Sequence, residues 1–191
     1  MHATLAATLG VLLVLVVSCE AAYVISRVAP NEIRASASFI CRIFQEEEYF
    51  DSSPAVLAQH TDETEVLLTD HILNYPSTVP GFHCAVFKAQ RNNDKIVGLA
   101  QVLTDNSSPR KAVLQNLGVS RDYRRLGLGK LLVEACEEAV ASKFGGLSHL
   151  WLNVEDDNHA AISFYLSLGY ISADGDSGGG FGSRMFVKKL V

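Results

Sequence analysis

The chain has 191 residues, enough for one domain with a full hydrophobic core. Its formal net charge of −5 excludes a general nucleic-acid-binding surface. The four cysteines form no C-x-x-C pair and no spacing typical of metal ligands, so we expect buried free thiols and no metal site.

The first 22 residues differ in composition from the rest of the chain. Residues 5–17 are an unbroken run of small and apolar residues, and small residues follow at Ala21 and Ala22. The run is shorter than the roughly 20 residues that a membrane-spanning helix needs, and it is typical of a secretory signal peptide. We therefore predict a targeting leader at residues 1–22 and a folded domain at residues 23–191.

The leader predicts location in the secretory pathway or an organelle lumen, and a plastid is one such destination. The segment before the apolar run contains His2 but no Lys or Arg. This departure from the usual signal-peptide pattern leaves two alternatives open. The leader is retained as a membrane anchor, or the start of the chain is mis-assigned and the protein is cytoplasmic.

Apolar periodicity places strands and helices along the remaining chain. The predicted strands are residues 23–28, 82–89, 96–104, 113–119, 150–154, 170–173 and 185–190. The predicted helices are one that opens at Pro30, helical pieces between Ser53 and Leu73, one from Leu128 to Gly145, and one over 158–168. A turn-rich segment at 91–94 should join the second and third strands in a hairpin.

The sequence R-R-L-G-L-G, residues 124–129, lies between a predicted strand and an amphipathic helix. Its glycines let the backbone approach a ligand closely, and the N–H groups at the start of a helix have no intrahelical acceptor. These groups and the helix dipole favour a phosphate, and Arg124, Arg125 and Lys130 add positive charge. The motif predicts a phosphate-binding site, although alone it is equally consistent with a solvent-exposed basic turn.

Two motifs in this order resemble the GCN5-related N-acetyltransferase (GNAT) superfamily. R-R-L-G-L-G fits the family's Q/R-x-x-G-x-G/A loop, and residues 150–170, LWLNVEDDNHAAISFYLSLGY, fit its fifth strand, Asn-led helix and Tyr-x-x-x-Gly-Tyr/Phe ending. The same residues look most like protein N-terminal acetyltransferases, including those that modify a ribosomal-protein alanine. The resemblance implies an α/β (α+β) fold with a mixed, mostly antiparallel sheet of about seven strands and about four flanking helices. A dinucleotide-binding fold fits less well, since the G-x-G-x-x-G spacing is absent.

The resemblance implies acetyl-CoA as the co-substrate. In this family the pantetheine arm lies where the fourth and fifth strands separate, and it bonds to exposed backbone there like an added strand. The residues that match the family's cofactor-binding positions are Leu117, Gly118, Val119, Arg124, Arg125, Leu126, Gly127, Leu128, Gly129, Lys130, Asn158 and Tyr165. A plain core strand, a basic turn and a helix cap are the structural alternatives for these positions.

Tyr165 matches the family's proton donor to the coenzyme A thiolate, whose conjugate acid has a pKa of about 8.5. A core aromatic on an amphipathic helix is the alternative. The ribosomal-alanine enzymes have a Glu where this chain has Asn153, which cannot take up the proton of the amine. Glu155 follows on the same strand face, and we expect the proton to leave through a chain of water that ends at Glu155, our candidate base, or at a backbone carbonyl. The structural alternative for Glu155 is that it belongs, with Asp156 and Asp157, to a solvent-exposed acidic loop.

The acidic, aromatic segment at 46–51 falls where the family's first two helices frame the acceptor site. Its carboxylates would attract a cationic amine, and Tyr49 and Phe50 are candidate substrate-binding residues. A solvent-exposed charge run is the alternative.

The combined pattern predicts an N-acetyltransferase that moves acetyl from acetyl-CoA to a primary amine of a protein or peptide, by direct attack in a ternary complex. A small-molecule amine or polyamine acetyltransferase and a non-catalytic acyl-CoA-binding module are the alternatives. No nucleic acid is expected as a partner, and a membrane is expected only if the leader is retained. The sequence does not predict the oligomeric state.

Overall fold

The computed structural model describes residues 14–18, 21–46, 53–91, 95–105, 110–173 and 182–190. The strands are β1 (Val14–Ser18), β2 (Ala21–Arg27), β3 (Cys84–Arg91), β4 (Lys95–Thr104), β5 (Ala112–Val119), β6 (His149–Glu155), β7 (Ile171–Ser172) and β8 (Ser183–Lys189). The helices are α1 (Ile33–Glu46), α2 (Pro54–Thr69), α3 (Tyr75–Thr78), α4 (Leu128–Lys143) and α5 (His159–Ser167). Single turns of 3-10 helix at Pro30–Glu32 and Arg121–Tyr123 and a π-helical turn at Asp70–Asn74 lie between them.

The described strands form one eight-stranded sheet in the order β1-β2-β3-β4-β5-β6-β8-β7. Within it only β5 and β6 are parallel, and the connection between them contains α4. A parallel pair needs such a crossover, whereas the antiparallel neighbours β3 and β4 are joined by a short hairpin. The mixed, mostly antiparallel sheet flanked by helices confirms the predicted fold class.

The sequence does not predict β1, which lies inside the predicted leader. It pairs antiparallel with β2 from Val14 opposite Ile25 to Ser18 opposite Ala21. β2 in turn pairs with β3. The leader and its boundary at residue 22 stay predictions. In the ranges that the structure describes, no helix combines the length and the apolar character needed to span a membrane.

Two hydrophobic clusters cover the two faces of the sheet. The larger joins α4, through Leu132 and its neighbours, to residues of β3 and β4 such as Phe87. The smaller joins α1, through Ala37 and its neighbours, to Val86 and other residues of the same two strands. Adjacent strand residues face opposite sides, so Phe87 and Val86 belong to different clusters. β4 is buried from Ile96 to Thr104 because both faces are covered.

β5 and β6 separate soon after they begin. They pair only at Ala112 with Leu150 and at Val113 with Trp151. β5 nevertheless continues to Val119 and β6 to Glu155. The strand order places no other described strand between them, so the facing edges of these two strands are open to a ligand.

A bulge in β5 coincides with this separation. The register with β4 shifts between Leu99, which faces Gly118, and Gln101, which faces Gln115. At the bulge Asn116 has a left-handed backbone with φ 52°, which asparagine tolerates better than most residues with a side chain. A bulge bends its strand, and this one lies where β5 leaves β6.

Candidate functional site

A cavity of about 570 Å³ lies where the end of β5 meets the starts of α4 and α5. It is lined by ten of the twelve residues predicted to bind the co-substrate: Leu117, Gly118, Val119, Arg124, Arg125, Gly127, Leu128, Gly129, Lys130 and Asn158. Of the other two, Leu126 does not line the cavity and is 45% exposed, and Tyr165 lines an adjoining cavity. The structure therefore brings the two sequence motifs together at one place.

The backbone of β5 offers hydrogen-bonding groups to this cavity. Ser120 N–H donates to Val97 O at 2.9 Å, so the backbone groups of Ser120 and Gly118 point toward β4. Leu117 and Val119 alternate with them and point their N–H and C=O groups toward the open gap. An extended amide-bearing chain lying in the gap would find hydrogen-bond partners at these two residues.

Gly118 lines the cavity but also allows a close packing contact. A Cβ on this residue would lie 2.8 Å from Ile43 Cγ2 of α1. Glycine is therefore required here by the close approach of α1 to the sheet. The sequence motif does not reveal this contact, because Ile43 is 75 residues away in the chain.

The start of α4 forms an anion-binding geometry. Its N-cap, Gly127, has φ 81°, and no atom lies within 4 Å of the position of its absent Cβ. Glycine is favoured there by backbone conformation and not by lack of space. The N–H groups of Leu128, Gly129 and Lys130 precede the first intrahelical bond, from Leu131 N–H to Gly127 O at 3.1 Å. Together with the positive end of the helix dipole they favour a phosphate.

Three cationic side chains line the same cavity, as the sequence predicts for this turn. Arg124 Nε donates to Val119 O at 2.9 Å, which ties the loop to the end of β5. Lys130 Nζ lies 3.8 Å from Glu134 Oε1 on the exposed side of α4. Arg125 has a left-handed backbone with φ 64°. Their positive charge adds to that of the helix start.

Tyr165 lies in a second cavity, of about 260 Å³, that adjoins the first. The two cavities share Phe44, Leu117, Asn158 and Ala161. The Tyr165 ring packs against Phe164 and Tyr170, with ring centroids 5.2 and 5.6 Å away. Burial, with a smaller contribution from Cys136, raises the pKa of Tyr165 well above its usual value. Its hydroxyl is therefore protonated at neutral pH, as a proton donor must be.

Glu155 and Asn153 line this second cavity from β6. They lie on the same face of the strand, because alternate residues point the same way. Asn153 Nδ2 donates to Ser183 Oγ of β8 at 2.8 Å, so the side chain of Asn153 is held by a neighbouring strand. The structure thus places the candidate acid, Tyr165, and the candidate base, Glu155, around one space.

Asn158 serves as the N-cap of α5. Its Oδ1 accepts a hydrogen bond from Ala161 N–H at 3.0 Å, while the residue lines both cavities. Asn158 therefore both caps α5 and lines the two cavities.

Sequence reasoning missed several residues that lie around the site. Phe44 of α1 lines the two cavities already described and a third, of about 290 Å³, between α1, α2 and β5. His71 and Gln101 line the third cavity. No local motif marks these residues, since they meet only through the packing of distant elements. The predicted substrate-binding residues Tyr49 and Phe50 lie outside the described residues.

Among the residues that the structure describes, no group of three or more His, Cys, Asp or Glu side chains is placed to hold a metal ion. Cys41 and Cys136 are buried free thiols, and Cys84 is a half-buried one.

Comparison with known proteins identifies the family of the chain. The family model for the acetyltransferase (GNAT) family matches residues 39–170. Over 83 residues, 42% of this chain and 51% of the relative, the chain is 39% identical to the ribosomal protein bS18-alanine N-acetyltransferase of Escherichia coli K12. The chain thus spans about half the length of the first curated relatives that it matches.

A second relative and a solved structure extend the comparison. The chain is 30% identical over 132 residues to a mycothiol acetyltransferase of Renibacterium salmoninarum, covering 69% of this chain and 30% of the relative. An acetyltransferase of the GNAT family from Staphylococcus aureus Mu50 superposes with a TM-score of 0.65 at 18% identity, over 88% of this chain and 99% of the other. That likeness shows a shared fold.

Proposed function

The chain belongs to the acetyltransferase (GNAT) family, and from this premise we propose that it transfers the acetyl group of acetyl-CoA to a primary amine of a protein or peptide. The observation that carries the proposal is that two neighbouring cavities share four lining residues. One joins the start of α4 to the open edge of β5, and the next contains Tyr165 and Glu155. A long thioester with a phosphate group at its far end matches this order of binding groups.

Each part of the donor has a counterpart in the chain. The pyrophosphate would accept hydrogen bonds from the N–H groups of Leu128, Gly129 and Lys130. The pantetheine amides would bond to the gap-facing backbone of Leu117 and Val119. This path ends beside the second cavity, where the thioester would meet Tyr165.

The chemistry of the second cavity suits direct transfer. The amine nitrogen attacks the thioester carbonyl carbon, so a C–N bond forms and the C–S bond breaks. The departing thiolate takes the proton of the Tyr165 hydroxyl, and the proton of the amine passes through water to Glu155. Asn153, held by Ser183, contributes a hydrogen-bonding surface and not a base.

The match to a bS18-alanine N-acetyltransferase favours an N-terminal α-amine of a protein as the acceptor. A small-molecule amine is the second candidate, because the match to a mycothiol acetyltransferase covers more of this chain. A panel of acceptors separates the two: short peptides with a free N-terminal alanine, a lysine-containing peptide with a blocked N-terminus, and a polyamine.

The test of donor binding uses two substitutions of nearly equal size at one position. Gly127 has a left-handed backbone, which Asn and Asp both tolerate better than other residues with a side chain. We expect Gly127→Asn to keep most of the affinity for coenzyme A. Gly127→Asp should lower it about tenfold or more, because a carboxylate would then face the phosphate. Calorimetry with coenzyme A measures both.

Acetyl transfer to the panel is measured with the same three proteins. We expect transfer by the wild type, lower transfer at limiting acetyl-CoA by Gly127→Asp, and near-normal transfer by Gly127→Asn. If both variants bound coenzyme A as tightly as the wild type does, the start of α4 would not be part of the binding site. A wild-type protein that binds coenzyme A but acetylates no amine would instead support a binding module without catalysis.

A further inference from the structure

Three polar side chains from distant parts of the chain form a hydrogen-bonded row between two of the cavities. Gln101 of β4 is only 1% exposed, although it is polar. Its Nε2 donates to His71 Nδ1 at 2.9 Å, and its Oε1 accepts from Asn116 Nδ2 at 2.8 Å. A weaker contact joins the same Nε2 to Cys84 Sγ at 3.5 Å. We call His71, Gln101 and Asn116 the polar relay.

Both ends of the polar relay are fixed by the surrounding structure. The His71 ring packs against Tyr75 and Phe82, with ring centroids 5.5 and 5.6 Å away. Asn116 occupies the left-handed position of the β5 bulge, which directs its side chain differently from that of a regular strand residue. Buried polar groups that are hydrogen-bonded at both ends specify one arrangement of a core.

The direction of each hydrogen bond follows from the chemistry of its donor. An amide NH2 group can only donate, so His71 Nδ1 must be an acceptor and the ring must be neutral with its proton on Nε2. Gln101 then has its oxygen turned to Asn116, and Asn116 uses its NH2 group to reach that oxygen. Asn116 Oδ1, at the other end of the amide, makes no hydrogen bond with any residue that the structure describes.

Asn116 also lies at the boundary of two cavities. It lines the cavity that contains Tyr165 and Glu155, and it lines the third cavity beside His71. Resting on the proposed function, we propose that Asn116 Oδ1 accepts a hydrogen bond from the incoming primary amine. Gln101 and His71 are positioning residues that keep this oxygen, and not the NH2 group, turned to the amine.

This role suits an amine that must attack as a neutral nucleophile. A carbonyl oxygen accepts an N–H without removing the proton, so it orients the nitrogen lone pair while another group takes up the proton. A primary amine still has an N–H to offer after its lone pair is aimed at the thioester carbonyl. A tertiary amine has no N–H, so it could not make this hydrogen bond.

Protonation of His71 would reverse the polar relay. Nδ1 would then donate, Gln101 would turn its oxygen to His71, and its NH2 group would take the Oδ1 of Asn116. The NH2 group of Asn116 would face the cavities and could accept no hydrogen bond from an amine. Burial lowers the pKa of His71 below its usual value, against a smaller opposing effect of Asp70, so neutral pH favours the neutral ring.

Titratable groups from several elements surround His71. They are Asp70 on its own turn, Tyr75 of α3, Cys84 of β3 with Arg27 bonded to its carbonyl, and His60 and Cys41 around the third cavity. Burial raises the pKa of the Cys84 thiol to about 11, so this group is uncharged wherever His71 titrates. Asp70, on the same turn as His71, acts against the larger effect of burial on the pKa of His71.

The test uses two substitutions that the bulge accepts. Glycine and aspartate both tolerate the left-handed backbone at residue 116. Asn116→Gly removes the oxygen, and we expect it to raise KM for the amine about tenfold, the effect of one lost hydrogen bond, while the affinity for coenzyme A stays unchanged. Asn116→Asp retains an acceptor oxygen and should restore KM to within about threefold of the wild type.

The polar relay is tested separately by Gln101→Met, which replaces the buried amide by an apolar side chain of similar length. In the wild type, KM should rise as pH falls through the pKa of His71, beyond the rise that protonation of the free amine explains. Gln101→Met should remove this extra rise. The NMR signals of the Asn116 side-chain NH2 group should also titrate with His71 in the wild type and not in Gln101→Met.

The outcomes separate this inference from the proposed function. If the wild type is active and Asn116→Gly has the same KM for the amine, the proposed role of Asn116 is wrong and the proposed acetyltransferase activity stands. If the NMR signals of the Asn116 NH2 group do not change as His71 titrates, the polar relay is wrong, whether or not the protein is active. Wild type that binds coenzyme A but acetylates no amine overturns the proposed function, and the amine site with it.

Discussion

Ile43 of α1 lies so close to Gly118 of β5 that a methyl group on residue 118 would come within 2.8 Å of Ile43 Cγ2. Real Cβ atoms do not approach other atoms so closely. The helix can pack at this distance from the strand because residue 118 has no side chain. The next residue along α1, Phe44, lines all three cavities. The fit of α1 onto Gly118 therefore sets the position of a wall that the three cavities share.

Replacement of Gly118 tests this contact. We expect Gly118→Ala to lower the free energy of unfolding by about 1–3 kcal/mol, because α1 must move away from the sheet. Gly129→Ala is the matched control, since a Cβ there would lie at an ordinary 3.4 Å from Phe164 Cζ. Urea denaturation of both variants is the measurement. Equal stability in Gly118→Ala and the wild type would show that α1 adjusts at no cost.

Tyr165 should affect chemistry more than binding. We expect Tyr165→Phe to keep the fold and most of the affinity for coenzyme A, because only the hydroxyl is lost. Its kcat should fall by roughly 100-fold or more, within the range for loss of a general acid. The loss should shrink with an acyl donor whose leaving thiol has a lower pKa. Steady-state rates of both proteins with two donors measure this dependence.

The raised pKa of Tyr165 adds a pH readout to the same experiment. Burial holds the hydroxyl in its protonated form beyond the usual tyrosine range, so ionisation of this residue should cause no loss of rate near pH 10. A near-wild-type kcat in Tyr165→Phe would exclude the proton-donor role. It would favour a proton path through water instead.

Lys188 of β8 holds α4 against the sheet through Glu137. Its Nζ lies 2.8 and 2.9 Å from the two carboxylate oxygens, and Tyr170 Oη donates to the same carboxylate at 3.0 Å. We expect Lys188→Met to lower the free energy of unfolding by about 1–3 kcal/mol, because it leaves a partly buried carboxylate without its cation.

The exposed pair of Lys130 and Glu134, 3.8 Å apart, provides a matched comparison. Lys130→Met should change stability by less than about 1 kcal/mol, since solvent screens an exposed ion pair. Thermal or urea denaturation of the two variants measures the difference. Similar losses in both would contradict the idea that burial of Glu137 makes its partner important.

We propose that the leader is separable from the folded domain. A chain that begins at Ala22 should fold and bind coenzyme A, because β1 is an edge strand that contacts the sheet only through β2. Calorimetry and circular dichroism of this shortened chain provide the test. If the protein folds only when residues 14–18 are present, β1 is part of the domain. Sequencing the N-terminus of the mature protein would show whether cleavage occurs.

Local patterns in the sequence predict the fold class and the donor side of the candidate site. The glycines and arginines of residues 124–129 and the helix that begins after Asn158 each act through their own backbone, so spacing along the chain is enough to recognise them. Hairpin and helix periodicities likewise predict most strands of the sheet. The sequence does not predict β1, because an apolar run without alternation is equally typical of a leader.

Only the tertiary structure decides which residues meet across the sheet. Ile43 and Gly118 touch because α1 folds onto β5, and His71, Gln101 and Asn116 form one row because a turn and two strands converge at the bulge. Such contacts depend on register and on helix placement, which are set by the packing of the whole core and not by neighbours in the chain. Local sequence determines the glycine turn and the N–H groups at the start of α4, whereas long-range packing decides which side chains line the cavities beside it.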